Sequence, residues 1–250
     1  MGHSSAVFTN PAGLATIRHI AVEGGLQTAT GEELVTSGSI AWRLRQFDVG
    51  FGIQSLDADL VGGDGVPIVD PDQSVVVGSL VYRFGLIALG FSGKRVRQEV
   101  PDAPANIGYS GDIGAAIAVF DIMALGFSIQ NVGGNWEHDS PIDLPRFTRF
   151  GFTMNYVDPQ GSFRLLSTIE WQWPEDEDTR FIAGGEAGIV LGGAGVVGRL
   201  AYGTRPEESA QPHWTYGATL ELRWVDVDVA YEPAAPGLDD TKRIGLRLAF

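Results

Sequence analysis

From His213 to Trp224 apolar and polar residues alternate without a break. Trp214, Tyr216, Ala218, Leu220, Leu222 and Trp224 fall on one parity, and His213, Thr215, Gly217, Thr219, Glu221 and Arg223 on the other. Successive side chains of a strand point to opposite faces, so this spacing builds a strand with one apolar and one polar face. Residues 243–250 repeat the pattern, with Ile244, Leu246, Leu248 and Phe250 on one side and Arg243, Gly245, Arg247 and Ala249 on the other. The same period marks fourteen segments along the chain: 17–28, 35–47, 49–57, 74–84, 86–97, 108–120, 122–132, 146–157, 161–173, 179–190, 194–205, 212–224, 225–232 and 242–250. Most are ~9–13 residues, long enough to cross a bilayer at a tilt.

An even number of such segments in one chain is what a closed bacterial barrel requires. The connections support closure. Those after the even segments are tight: Phe47-Asp48, Phe84-Gly85, Phe120-Asp121, Asp158-Pro159-Gln160, Leu191-Gly192-Gly193 and Trp224-Val225. Those after the odd segments are mostly long and acidic, such as 56–73, 133–145 and Pro174-Glu175-Asp176-Glu177-Asp178. Short turns on one rim and long loops on the other are the periplasmic and extracellular ends of an outer-membrane barrel. Phe47, Phe84, Tyr156 and Trp224 flank the short turns, while Tyr82, Trp171, Trp173, Trp214 and Tyr231 supply further interfacial aromatics. A soluble sandwich or propeller explains alternation but not this rim asymmetry.

Composition agrees. The chain has 34 glycines, 10% aromatic residues and no cysteine, so disulfides and thiol chemistry are excluded. The net charge of −14 argues against nucleic acid as a partner. The longest uncharged apolar stretch, 187–198, is rich in glycine and too short for a transmembrane helix of ~20 residues. Met1-Gly2-His3-Ser4-Ser5 has no basic or apolar stretch of a signal peptide. An exported barrel needs one, so the chain reads as a mature or trimmed form of a bacterial outer-membrane protein.

With the apolar parity facing lipid, the lumen receives Glu23, Arg43, Arg45, Arg83, Lys94, Asp112, Arg149, Arg164, Glu170, Arg180, Glu186, Arg199, Glu221, Arg223, Asp226, Asp228, Arg243 and Arg247. A charge facing lipid at mid-bilayer costs several kcal/mol, so this sorting is what a barrel demands. Either the charges form an Arg–carboxylate network that ties the interior, which is the preferred reading, or they line a track for an anion. On this parity Leu220 faces lipid and Thr219 the lumen, so arginine is expected to be tolerated at Thr219 and not at Leu220.

Other chemistry is thin. His3, His19, His138 and His213 form no hydrolase spacing with a serine. Asp57, Asp59 and Asp64, and the run Glu175 to Asp178, lack the spacing of a calcium loop and read as solvated tips. The Gly-rich run 184–198 is no phosphate cradle, because no strand–glycine–helix order with lysine follows. No cofactor, metal or catalytic residue is expected, and the chain does not read as an enzyme.

Three short stretches carry a family resemblance. Asn10-Pro11-Ala12-Gly13-Leu14 resembles the segment near the start of FadL-like and PorV/PorQ-like barrels. Ser128-Ile129-Gln130-Asn131-Val132-Gly133 is similar to a Gln-Asn-(Leu/Val)-Gly stretch of PorV/PorQ-type proteins, and residues 240–250, ending in Phe250, resemble their final strand. The resemblance implies a fourteen-stranded outer-membrane barrel. In FadL-like members the N-terminal segment plugs the lumen and hydrophobic molecules are transported; PorV-like members carry secreted cargo in type IX secretion. The domain reading is an N-terminal segment, 1–16, as a truncated hatch, followed by the barrel at 17–250. So short a hatch favours a carrier or scaffold of a secretion or envelope complex, with a protein partner in the envelope, low ion conductance, and Asn10 and Pro11 fixing the chain's turn into the first strand. The alternative is a FadL-like or porin-like transporter of small hydrophobic or anionic molecules, with such a ligand in the lumen. Outer-membrane lipid is a partner on either reading.

Overall fold

The computed structural model describes residues 3–28, 33–57, 72–99, 105–119, 122–136, 144–157, 162–175, 177–204, 213–234 and 239–250. Fourteen strands follow one another in chain order: β1 (Ile20–Thr28), β2 (Leu34–Leu44), β3 (Phe47–Asp57), β4 (Asp72–Phe84), β5 (Ile87–Glu99), β6 (Asn106–Val119), β7 (Met123–Trp136), β8 (Phe147–Asn155), β9 (Phe163–Pro174), β10 (Arg180–Leu191), β11 (Ala194–Gly203), β12 (Trp214–Leu222), β13 (Val225–Glu232) and β14 (Thr241–Ala249). Each pairs antiparallel with its sequence neighbours, and β14 closes on β1 from Ala21 opposite Ala249 to Thr28 opposite Lys242. Closure leaves no edge, so every strand satisfies its backbone groups on both sides, as a bilayer interior demands. The fold is a fourteen-stranded transmembrane β-barrel.

The alternation falls as its period requires. In β3, Phe47, Val49, Phe51 and Ile53 face out, while Asp48, Gly50 and Gly52 are buried inside. In β12, Leu220 faces out at 44% exposure and Thr219 faces in at 1%. Phe84, 70% exposed, is typical of a surface that water would penalise and lipid matches. Two aromatic girdles bound this surface. Phe47 packs on Tyr82 and Trp224 on Phe250 beside the short turns, and Trp214 packs edge-on to Tyr202 near the other rim. The outward charges Arg95, Arg97 and Lys242 stand at the long-loop ends of β5 and β14.

The short turns sit a residue or two away from several expected positions. β2 turns into β3 at Arg45-Gln46, not Phe47-Asp48; β4 into β5 at Gly85-Leu86; and β12 into β13 at Arg223-Trp224. Arg45 and Arg223 adopt φ of +57° and +54°, a left-handed conformation that few non-glycine residues take. Gly192 and Gly193, at φ +59° and +86°, make a hairpin turn in which both central residues need that region. The expected turns at 120–121 and 158–160, and much of the long acidic connections, lie outside the described residues.

Ahead of β1 the chain folds inside the barrel as two short 3-10 helices, Ser4–Phe8 and Pro11–Thr16. They pack against the inner faces of β1 to β7. The barrel strand expected from residue 17 begins at Ile20, and the preceding residues form the plug and its exit.

Candidate functional site: the plugged lumen

The plug exists because the wall is hollowed to receive it. A Cβ placed on Gly50 would lie 2.5 Å from both Leu14 Cδ1 and Val7 Cγ1, and one on Gly52 2.6 Å from the Phe8 ring. On the next strands a Cβ at Gly90 would come within 2.6 Å of the Ala12 nitrogen, and one at Gly114 within 2.2 Å of Asn10 Oδ1. These four inward positions on β3, β5 and β6 are therefore open to glycine and closed to any larger residue while the plug is seated. Val7, Ala12, Leu14 and Ile17 bury against Val77, Val81, Ala41 and Ala88 of the wall. Complete burial of each large aliphatic side chain contributes ~1.5–3 kcal/mol.

Polar bonds fix the plug's register. Asn10 caps the second helix, its Oδ1 accepting from the Ala12 N–H at 3.0 Å, and Pro11 occupies the first helical position, where its missing N–H costs nothing. Asn10 Nδ2 donates to the Phe127 carbonyl at 3.3 Å. Ser128 donates to the Thr9 carbonyl at 3.1 Å and Gln130 to the Phe8 carbonyl at 2.7 Å. Arg43 donates to the Ala15 carbonyl at 2.6 Å, and Ser4 N–H to Glu23 at 2.7 Å. The two motifs singled out in the sequence, 10–14 and 128–133, thus meet in the lumen. Asn10 and Pro11 hold the plug to β6 and β7 rather than steering the chain into β1.

The second motif also deforms the wall. Asn131 and Gly133 take φ of +58° and +67°, and the β6–β7 register shifts around Gly111. A bulge leaves a backbone N–H off the ladder. Here Asp112 accepts the Asn131 N–H at 3.0 Å and pairs with Lys94 at 2.9 Å.

The remaining inward charges pair along the wall. Asp48, fully buried, bridges Arg43 at 3.0 Å and Arg83 at 2.8 Å. Arg149 pairs with Glu170 at 3.4 Å and lies 4.6 Å over the Phe147 ring. Arg199 joins Glu186 at 2.8 Å and Asp228 at 3.0 Å, with Thr219 bonded to both Arg199 and Asp228. Arg247 binds Asp226 at 2.8 Å and reaches His3 of the plug at 2.9 Å. Glu221 and Arg164 face in, half-buried, and Arg180 pairs with Glu177 at the outer rim. Arg45 and Arg223, expected in the lumen, are exposed turn residues instead. Asp48 was missed because its neighbourhood read as a turn.

Among the loop carboxylates, Asp57 is described but 58–71 are not; Glu175 pairs with Arg146 at 3.2 Å, and Glu177 with Arg180. Between the plug and the inner faces of β10 to β14, β1 and β2 lies a cavity of about 360 Å³. Glu23, Glu186, Asp228, Arg199, Arg243 and Arg247 line it, among glycines and small polar residues.

This architecture is shared with solved outer-membrane channels. The CymD monoaromatic hydrocarbon channel superposes with a TM-score of 0.67 at 12% identity, over 99% of this chain and 93% of its own. The P. putida toluene transporter TodX gives 0.65 at 9% identity, over 99% and 94%, and a Pseudomonas aeruginosa FadL homologue 0.65 at 12% identity, over 100% and 94%. The fold is the barrel that these solved proteins share. No protein-family model matches the sequence, and no curated protein matches it. At these identities the likeness establishes the barrel and nothing of its cargo. These neighbours lend no support to a PorV/PorQ assignment or to a role in type IX secretion.

Proposed function

We propose that this barrel conducts small molecules across the bacterial outer membrane, through a passage beside its N-terminal plug. One observation carries the reading: the plug seats on β1 to β7, and a cavity of about 360 Å³ remains between it and the wall of β10 to β14, β1 and β2. That volume lies within the ~300–1,000 Å³ of small-molecule sites. A carrier acting through its rims needs no glycine-lined seat for a lumenal plug. The solved neighbours that share the fold, among them a monoaromatic hydrocarbon channel and a toluene transporter, favour transport over cargo carriage.

The plug acts as the restriction. Beyond the chain that leads into β1, its helices are held by hydrogen bonds and aliphatic burial, so they can shift without breaking the barrel. The test is solute entry into proteoliposomes holding the purified protein. Uptake of small aromatic solutes above protein-free vesicles is expected. No uptake of any solute, together with a stoichiometric envelope protein co-purifying from native membranes, would return the carrier reading.

A further inference from the structure

We infer that the cavity beside the plug is a binding site for a carboxylate-bearing small molecule, anchored on Arg243. This deepens the transport reading and rests on it for how the ligand reaches the cavity. Arg243 faces inward on β14, opposite Ala230 of β13 and Gln27 of β1, and lines the cavity. Among the described residues it has no ion-pair or hydrogen-bond partner. The other charges of the lining are engaged. Glu23 takes Ser4 N–H and His3, Glu186 and Asp228 share Arg199, and Arg247 holds Asp226. The cavity therefore presents satisfied carboxylates and one guanidinium with unused donors.

The surroundings leave room for a ligand. Gly25, Ser37, Gly217, Ala230 and Gly245 line the same space and Arg243 is exposed, so its fork is open to a guest. A guanidinium presents donors in a planar fork that matches a carboxylate with two parallel bonds. The plug contributes Phe8 to the lining, an apolar surface for the body of such a molecule. A neutral hydrocarbon would leave the guanidinium unpaired, and an ammonium would face it unfavourably.

Equilibrium dialysis of the purified full chain against benzoate, toluene and benzylamine tests the assignment, because the three probes share a ring and differ in charge. Benzoate is expected to bind at least about ten-fold more tightly than either of the others, the discrimination of one charged hydrogen-bonded contact. Arg243→Gln should abolish that preference and Arg243→Lys retain part of it. Because Arg243 ties no other described residue, neither variant should change the temperature at which the barrel loses its compact mobility on a denaturing gel. Toluene binding as tightly as benzoate, absence of benzoate binding, or an undiminished preference in Arg243→Gln would overturn the inference. Arg243-dependent benzoate binding without solute uptake in proteoliposomes would leave the site standing and remove the transport reading.

Discussion

The seating of the plug is tested most directly by filling its hollow. Gly90→Ala together with Gly114→Ala adds two methyl groups to the wall. The first would lie 2.6 Å from the Ala12 nitrogen and 2.8 Å from the Pro11 carbonyl carbon, which are backbone atoms that cannot rotate aside. The second would lie 2.2 Å from Asn10 Oδ1. Ordinary contact begins at ~3.5 Å, so the second helix must retreat by about 1 Å toward the lumen axis. That strains the Asn10 bond to the Phe127 carbonyl and loosens Leu14. Over-packing costs ~1–3 kcal/mol per site, so the pair weakens the seat by ~2–6 kcal/mol. At 1.4 kcal/mol per decade the unseated population rises by between about thirty-fold and ten-thousand-fold. The barrel itself should not suffer, since glycine in a strand interior is already unfavourable. With no native cysteine, a single cysteine at Ser4 of the plug, fully buried against Ser39 of β2, reports unseating by its rate of labelling, and planar-bilayer openings report passage. Gly93→Ala on β5, where an added Cβ meets nothing within 4 Å, is the control. Labelling and conductance unchanged in the double variant, or raised equally by Gly93→Ala, would refute the reasoning.

Three further outcomes are expected. Leu220→Arg, between the girdle residues Trp214 at the head of its strand and Trp224 in the turn that follows it, should cost ~2–4 kcal/mol or block assembly, whereas Leu166→Arg, half-buried inside and opposite Glu186, should assemble normally; equal damage in a heat-modifiability assay would mean the faces are misassigned. Asp48→Ala should destabilise the barrel by ~2–4 kcal/mol, because it leaves Arg43 and Arg83, about a quarter exposed, without their shared carboxylate; denaturant unfolding in detergent would measure it, and a loss below ~0.5 kcal/mol would contradict the bridge. Asp240 is held below the ordinary carboxylate range, first by the Ala234 N–H it accepts and then by the Tyr231 hydroxyl. A lowered folded-state value means its contribution is complete above the ordinary range and lost only as pH falls further, so Ala234 amide protection should persist through mild acid in the native chain and be weak at all pH values in Asp240→Ala.

The wall was legible in the sequence because a closed barrel spaces its outward side chains at period two and lipid enforces it. The alternation assigned Leu220 outward and Thr219 inward, and both stand so. Facing alone did not predict tolerance. Thr219 is fully buried and bonded to Arg199 and Asp228, so arginine there would break the network, contrary to expectation. The turns were less legible. Arg45 and Arg223 carry positive φ without being glycine or asparagine, so the turn was placed at the adjoining aromatics, and Asp48 was lost from the lumen. The plug's seat was the least legible feature. Residues 3–19 have no strand or helix period, and only the inward glycines at 50, 52, 90 and 114, the last two directly opposite one another on β5 and β6, mark the hollow that receives them.

A cross-linked interior was expected to close the lumen, and the geometry separates those two ideas. The ion pairs of the inner wall join strands one or two apart: Arg43 on β2 with Asp48 on β3 and Arg83 on β4, Lys94 on β5 with Asp112 on β6, Arg149 on β8 with Glu170 on β9, Arg247 on β14 with Asp226 on β13. Arg199 on β11 spans farthest along the wall, from Glu186 on β10 to Asp228 on β13. Pairs of this kind lie along the circumference. They satisfy charges that lipid would reject and stiffen neighbouring strands, but they do not bridge the lumen. Among the described residues, what crosses toward the centre is the N-terminal segment, tied to the wall through Asn10, Ser128 and Gln130. Among the described residues, the segment meets the charged groups of the wall at Glu23, Arg43 and Arg247, the last through His3. Of the residues in these wall pairs, Arg43 and Arg247 also hold the segment, so the wall is expected to keep most of its strength when the segment is displaced.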